Sequence, residues 1–102
     1  MKRAVVWSRA ALVDLKTQLN FIARENPGAA RKVVERIRTT GDALSEFATG
    51  HPGRVPQTYE KSVAGLPYVI AYAIDHGDQA ERVVVLHVIH TARNWPGENW
   101  PN

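Results

Sequence analysis

Glu81-Arg82-Val83-Val84-Val85-Leu86-His87-Val88-Ile89-His90 is the stretch whose reading decides the fold. Three consecutive valines, then leucine, valine and isoleucine, leave no polar alternation, so this run predicts a strand buried on both faces in the middle of a sheet. Immediately before it, His76-Gly77-Asp78 supplies turn chemistry. Tyr68 to Asp75 places Tyr68, Ile70, Tyr72 and Ile74 on one face, with Val69, Ala71 and Ala73 on the other. Further upstream, Val55 to Lys61 predicts a more polar strand, and Pro56 within it points to an edge position. Thr49-Gly50-His51-Pro52-Gly53 is a loop that separates this strand half from a helical half. There Leu12, Leu15, Leu19 and Ile22 recur at three- and four-residue steps, behind Ser8 as the expected N-cap. Asn26-Pro27-Gly28 ends this helix and opens a second, carrying Ala30, Val33, Val34, Ile37, Leu44 and Phe47 on its apolar side. Gly41 interrupts the second helix, where a bend or a close backbone approach is expected. Ala4-Val5-Val6-Trp7 predicts a first strand. The fold class that follows is α+β in the order β-α-α-β-β-β, a helical hairpin packed on one face of a small, mostly antiparallel sheet.

The chain has 102 residues, the size of one domain. With 44% hydrophobic and 23% charged residues it has the composition of a globular protein with a packed core. The absence of cysteine excludes disulfides and thiolate zinc sites. Met1-Lys2-Arg3 begins like a signal peptide, but the apolar run that follows stops at Ser8-Arg9, and no stretch approaches ~18 apolar residues. A cytoplasmic protein without membrane contact is expected. A net charge of +3 is a modest excess that would favour an acidic partner by electrostatic steering; nucleic acid, an acidic protein or plain solubility would each fit.

The residues with chemical potential gather in the strand half: Arg54, Tyr59, Lys61, His87, His90 and Arg93. Cleavage of RNA through its own 2′-hydroxyl needs a base, an acid and cations for the phosphorane charge, and these residue types can supply all three. Their spacing carries no signature, and the plainer expectation is that Arg54, Lys61 and Arg93 are solvated or partner-facing charges. His87 and His90 lie three apart on a strand and so point to opposite faces, which together with the missing thiolates argues against a metal site. One of the two is expected as a hydrogen-bonded histidine at the edge of the core. No nucleophilic triad and no glycine-rich phosphate loop is present, and no cofactor is expected. The Tyr68/Tyr72 face is expected as core and edge packing rather than a base-stacking platform. Trp95 and Trp100 in the tail either pack on the sheet or meet a partner.

Several local strings, in this order, resemble the ParE branch of the ParE/RelE toxin superfamily of type II toxin–antitoxin systems. They are Ser8-Arg9-Ala10-Ala11-Leu12-Val13-Asp14-Leu15 at the first helix, Asn26-Pro27-Gly28-Ala29-Ala30 between the helices, and Pro52-Gly53-Arg54 before the second strand. Pro67-Tyr68-Val69-Ile70-Ala71-Tyr72 and Val85-Leu86-His87-Val88-Ile89-His90-Thr91-Ala92-Arg93-Asn94-Trp95-Pro96 complete the series. The resemblance implies one toxin domain over residues 1–96 and a tail over 97–102. It further implies a plasmid-stabilisation type of toxin that poisons DNA gyrase by trapping cleaved DNA, and that forms a hetero-oligomer with a small, acidic, ParD-like antitoxin. Arg93 and Trp95 are then the expected target contacts. Leu12, Leu15, Tyr68, Tyr72, Trp95 and Trp100 are the expected antitoxin contacts. The alternative within the superfamily is a RelE-like, ribosome-dependent mRNA endonuclease that uses the polar set named above. A relative without toxicity that serves only as an antitoxin-binding co-repressor is the third possibility.

Overall fold

The computed structural model describes residues 3–77 and 80–91. The chain runs β1 (Ala4–Trp7), α1 (Arg9–Ala23), α2 (Pro27–Asp42), a 3₁₀ turn (Ala43–Ser45), β2 (His51–Pro52), β3 (Tyr59–Ser62), β4 (Tyr68–His76) and β5 (Glu81–His90). The strands form one mixed sheet in the order β1-β5-β4-β3-β2, in which only the β1–β5 pair is parallel. The last strand is therefore central, as its unbroken apolar run requires.

The local rules operate as expected at both helix starts. Ser8 is extended and its Oγ accepts from Ala11 N at 3.0 Å; Asn26 accepts likewise from Ala29 N at 3.0 Å, with Pro27 in the first turn. Each cap satisfies one of the amides that a helix start leaves unpaired. The two helices pack against each other and against the inner face of the sheet. There Ile37, Leu44, Val63, Ile70, Tyr72, Val83 and Val85 are fully buried. Burying a large apolar side chain contributes about 1.5–3 kcal/mol, so this layer dominates the stabilisation. Gly41 is a point of close approach: a Cβ there would fall into the Trp7 indole, 2.7 Å from Cη2. That indole donates from Nε1 to Asp42 at 3.0 Å and lies under the Arg38 guanidinium at 5.0 Å.

Three expectations change in detail. The buried stripe of α1 is Ala11, Leu15 and Gln18, and Leu12 lies outside it at 45% exposure. Phe47 is 70% exposed, because α2 ends at Asp42 and the tighter 3₁₀ turn buries Leu44 before the chain leaves the helical period. The strand expected from Val55 to Lys61 begins only at Tyr59. Residues 53–58 curl instead into a loop in which Gly53 N donates to Thr58 O at 2.8 Å and Thr58 Oγ1 to Val55 O at 2.6 Å. Gln57 takes φ 68° within it. Pro56 has no amide for a ladder, so the chain turns where a strand would lack a donor.

A register shift lies between β4 and β5: Tyr72 faces Val85 and Ala71 faces His87, which leaves Leu86 without an opposite residue. β1 ends one residue before this point, with Trp7 opposite Val85. Beyond it, the edge of β5 is capped from α1. Ser8 N donates to Val85 O at 2.9 Å, Ser8 Oγ to Leu86 O at 3.0 Å, and Val88 N to Asp14 Oδ2 at 2.9 Å. Side chains thus blunt an edge that would otherwise be open to strand pairing.

Candidate binding surfaces

The polar residues singled out by the sequence separate into two neighbourhoods. At the junction of α1 and β5, His87 is only 5% exposed and its Nδ1 donates to Asp14 Oδ2 at 3.0 Å, since a carboxylate can only accept. The same oxygen receives Val88 N, so one carboxylate orients the imidazole and closes the bulge. His87 is the hydrogen-bonded histidine at the core edge. His90 lies edge-on to the Tyr68 ring, with centroids 5.1 Å apart, and Tyr68 donates to the buried Gln18 Oε1 at 2.8 Å. Thr17, Gln18, Phe21 and His90 line a small cavity of about 250 Å³, over which Phe21 stands 68% exposed.

The second neighbourhood lies on β2, β3 and the loop between them. Tyr59 stacks on Tyr72 with centroids 5.5 Å apart, and the Tyr72 hydroxyl accepts from Gly50 N at 2.9 Å. Burial pushes the Tyr72 phenol above its ordinary value of 10.0, against the opposing influence of the Gly50 amide. Glu60, 6% exposed, accepts from Arg54 N at 2.9 Å and so pins the 53–58 loop. Lys61 donates from Nζ to Thr49 Oγ1 at 2.8 Å. It lines a groove of about 510 Å³ with Thr39, Thr40, Leu44 and Phe47. The cavity at His90 and the groove at Lys61 share no lining residue among those described. The six residues proposed for RNA chemistry therefore do not converge as far as they are described, and Arg93 lies outside the described residues.

Of the expected antitoxin contacts, Leu12 is on the surface, whereas Leu15, Tyr68 and Tyr72 are 5%, 4% and 0% exposed and form part of the core. A partner could reach these three only through the residues that cover them. Trp95 and Trp100 lie outside the described residues. Sequence reasoning gave no role to Asp14, Gln18 or Glu60. The first two were detectable: Ala11, Asp14 and Gln18 follow the helical spacing of the buried stripe, and a carboxylate at such a position needs a partner. Nothing in the sequence around Glu60 announces that a loop will fold over it.

Among the described residues, the polar side chains of these two neighbourhoods serve mainly to hold this small α+β domain's own backbone, while Phe21 and Phe47 stay exposed. The comparisons define it further. The family described as the ParE toxin of type II toxin–antitoxin systems, parDE, matches residues 5–95. Toxin-named Y4kP of Sinorhizobium fredii is 38% identical over 96 residues, covering 93% of this chain and 95% of the relative. Toxin RelE2 of Caulobacter vibrioides is 33% identical over 90 residues, covering 87% and 96%. The chain belongs to the ParE toxin family of type II toxin–antitoxin systems. Its fold is also that of a chain in the chromosomal ParDE system from P. aeruginosa, with a TM-score of 0.77 at 19% identity over 87% of this chain and 96% of that one. No helix among the described residues is long and apolar enough to cross a membrane.

Proposed function

We propose that this ParE-family toxin acts in the cytoplasm on DNA gyrase, stabilising the cleaved-DNA state, and that a small acidic antitoxin of the ParD type neutralises it in a hetero-oligomer. The Asp14–His87 pair carries the choice of binding over chemistry. A general base must reach a substrate proton, whereas His87 is buried and spends Nδ1 on the carboxylate that closes the β5 bulge. Lys61 likewise holds Thr49 in place. Arg93 and Trp95 are proposed as gyrase contacts, and Leu12, Trp95 and Trp100 as antitoxin contacts. Leu15, Tyr68 and Tyr72 shape the surface from beneath. The test combines purified gyrase, supercoiled DNA, ATP and the toxin. Double-strand breaks should accumulate, while mRNA on ribosomes in a parallel reaction stays intact. Intact DNA with cleaved mRNA would overturn the proposal in favour of the endonuclease reading, which the 33% identity to a relative named RelE2 keeps as the second choice.

A further inference from the structure

A second hollow adjoins the groove at Lys61. It measures about 500 Å³, and Lys32, Glu35 and Arg36 line it; Thr39, Thr40 and Ala64 belong to both hollows. Together they form one continuous trough along the outer side of α2, bounded across from the helix by β3 and the β3–β4 turn. From Lys32 to Ala43 it follows α2 for about 16 Å, given roughly 1.5 Å of rise per residue. The floor near its 3₁₀ end is apolar, with Ala43, the edge of Leu44 and the ring of Phe47. The cations stand at both ends, Lys32 and Arg36 at one and Lys61 at the other. Their hydrogen bonds go to neutral oxygens: Arg36 Nη1 to Ala64 O at 3.2 Å and Lys61 Nζ to Thr49 Oγ1 at 2.8 Å. None of the three forms an ion pair with a described residue.

We propose that this α2–β3 trough is the seat of an acidic, amphipathic peptide segment of the antitoxin, one that sets an apolar side chain on Phe47 and carboxylates on Lys61 and on Lys32/Arg36. The proposal rests on the reading that an antitoxin neutralises this toxin, and it adds the surface and the chemistry of the contact. Two features favour a peptide over a nucleic-acid strand. The apolar floor fits side chains of a folded or folding segment, and the Glu35 carboxylate between Lys32 and Arg36 would repel a continuous run of phosphates. A phenylalanine left 70% exposed beside such a floor is a surface that burial by a partner would stabilise. The 16 Å length matches about three turns of helix, enough for two or three anchoring positions.

The test titrates the purified toxin with its copurifying antitoxin, comparing wild type with Phe47→Ser, with the double variant Arg36→Glu/Lys61→Glu, and with Val13→Ser, an exposed α1 residue outside the trough, as control. Thermal melts confirm that each variant is folded, which the exposure of Phe47 and Arg36 favours. The expected result is at least a tenfold loss of affinity for both trough variants. The charge variant should also lose most of the salt dependence, and Val13→Ser should stay within about twofold of wild type. Wild-type affinity in folded trough variants overturns the proposal while leaving the antitoxin reading intact. An antitoxin that fails to bind even the wild-type toxin overturns both. Trough variants that keep the antitoxin but lose affinity for a single-stranded oligonucleotide would assign the surface to nucleic acid instead.

Discussion

At the scale of single residues, the side chains that looked most chemical are the ones most occupied with structure. Asp14 accepts two donors with one oxygen, from His87 Nδ1 and Val88 N. Asp14→Ala leaves both without their acceptor, at about 1–3 kcal/mol for each buried group, and urea titration should show the loss. His87→Gln should likewise reduce toxicity only in proportion to the folded fraction. A fully stable but inert His87 variant would return that residue to catalysis. Gly41→Ala is expected to destabilise the protein by about 1–3 kcal/mol, because the added methyl must displace the Trp7 indole. This outweighs the ~1 kcal/mol that alanine gains in a helix interior, and the sign of the change in melting temperature decides the matter. Tyr72 gives a pH signature. Its folded value lies above its unfolded one, so its contribution is fully present below pH 10.0 and is lost as pH rises through the folded value, where the unfolded chain ionises first. Tyr72→Phe should flatten this alkaline limb. At neutral pH it should cost about 0.5–1.5 kcal/mol for the lost Gly50 hydrogen bond.

At the scale of elements, Ser8 joins three of them: it ends the pairing of β1, caps α1 and holds Leu86 O on β5. Ser8→Ala should therefore exceed the ~1 kcal/mol of an isolated cap, reaching roughly 2 kcal/mol in chemical denaturation. The equivalent change at the exposed Asn26 should stay near the lower figure. The elements were legible where periodicity and caps agree. The central place of β5 follows from its unbroken apolar run, and the hairpin from the short Asn26-Pro27-Gly28 break between two apolar helical stripes. Legibility ended where tertiary contacts decide. The sequence pattern continues the helical period to Phe47, but the 3₁₀ turn intervenes, and Pro56, which the pattern places on an edge strand, lies in a loop instead. The site was legible in its residue types more than in its geometry. Alternation separates Tyr68 and Tyr72 from Val69 and Ala71, but it does not say which face the helices will cover. Asp14, which organises His87, lies 73 positions away from it.

For the molecule as a whole, the two mechanisms differ at Arg93. If the toxin works by binding, Arg93→Ala removes one contact among many, about 1–3 kcal/mol, and toxicity on induction weakens without vanishing. If it works by cleaving RNA, the same change should lower the rate by about 100-fold or more. Growth curves and DNA-damage reporters after induction distinguish the two. The sheet order has a further consequence, for synthesis on the ribosome. β5 sits between β1 and β4 yet follows both in the chain, and Ser8 meets Leu86 across 78 positions. At roughly 5–20 residues per second, β1 waits on the order of 4–16 s for β5, its only strand neighbour among the described residues. Until then the helical hairpin has only a sheet without its middle strand to bury its apolar stripe. A chain whose synthesis stops before β5 is thus a fragment without a completed core.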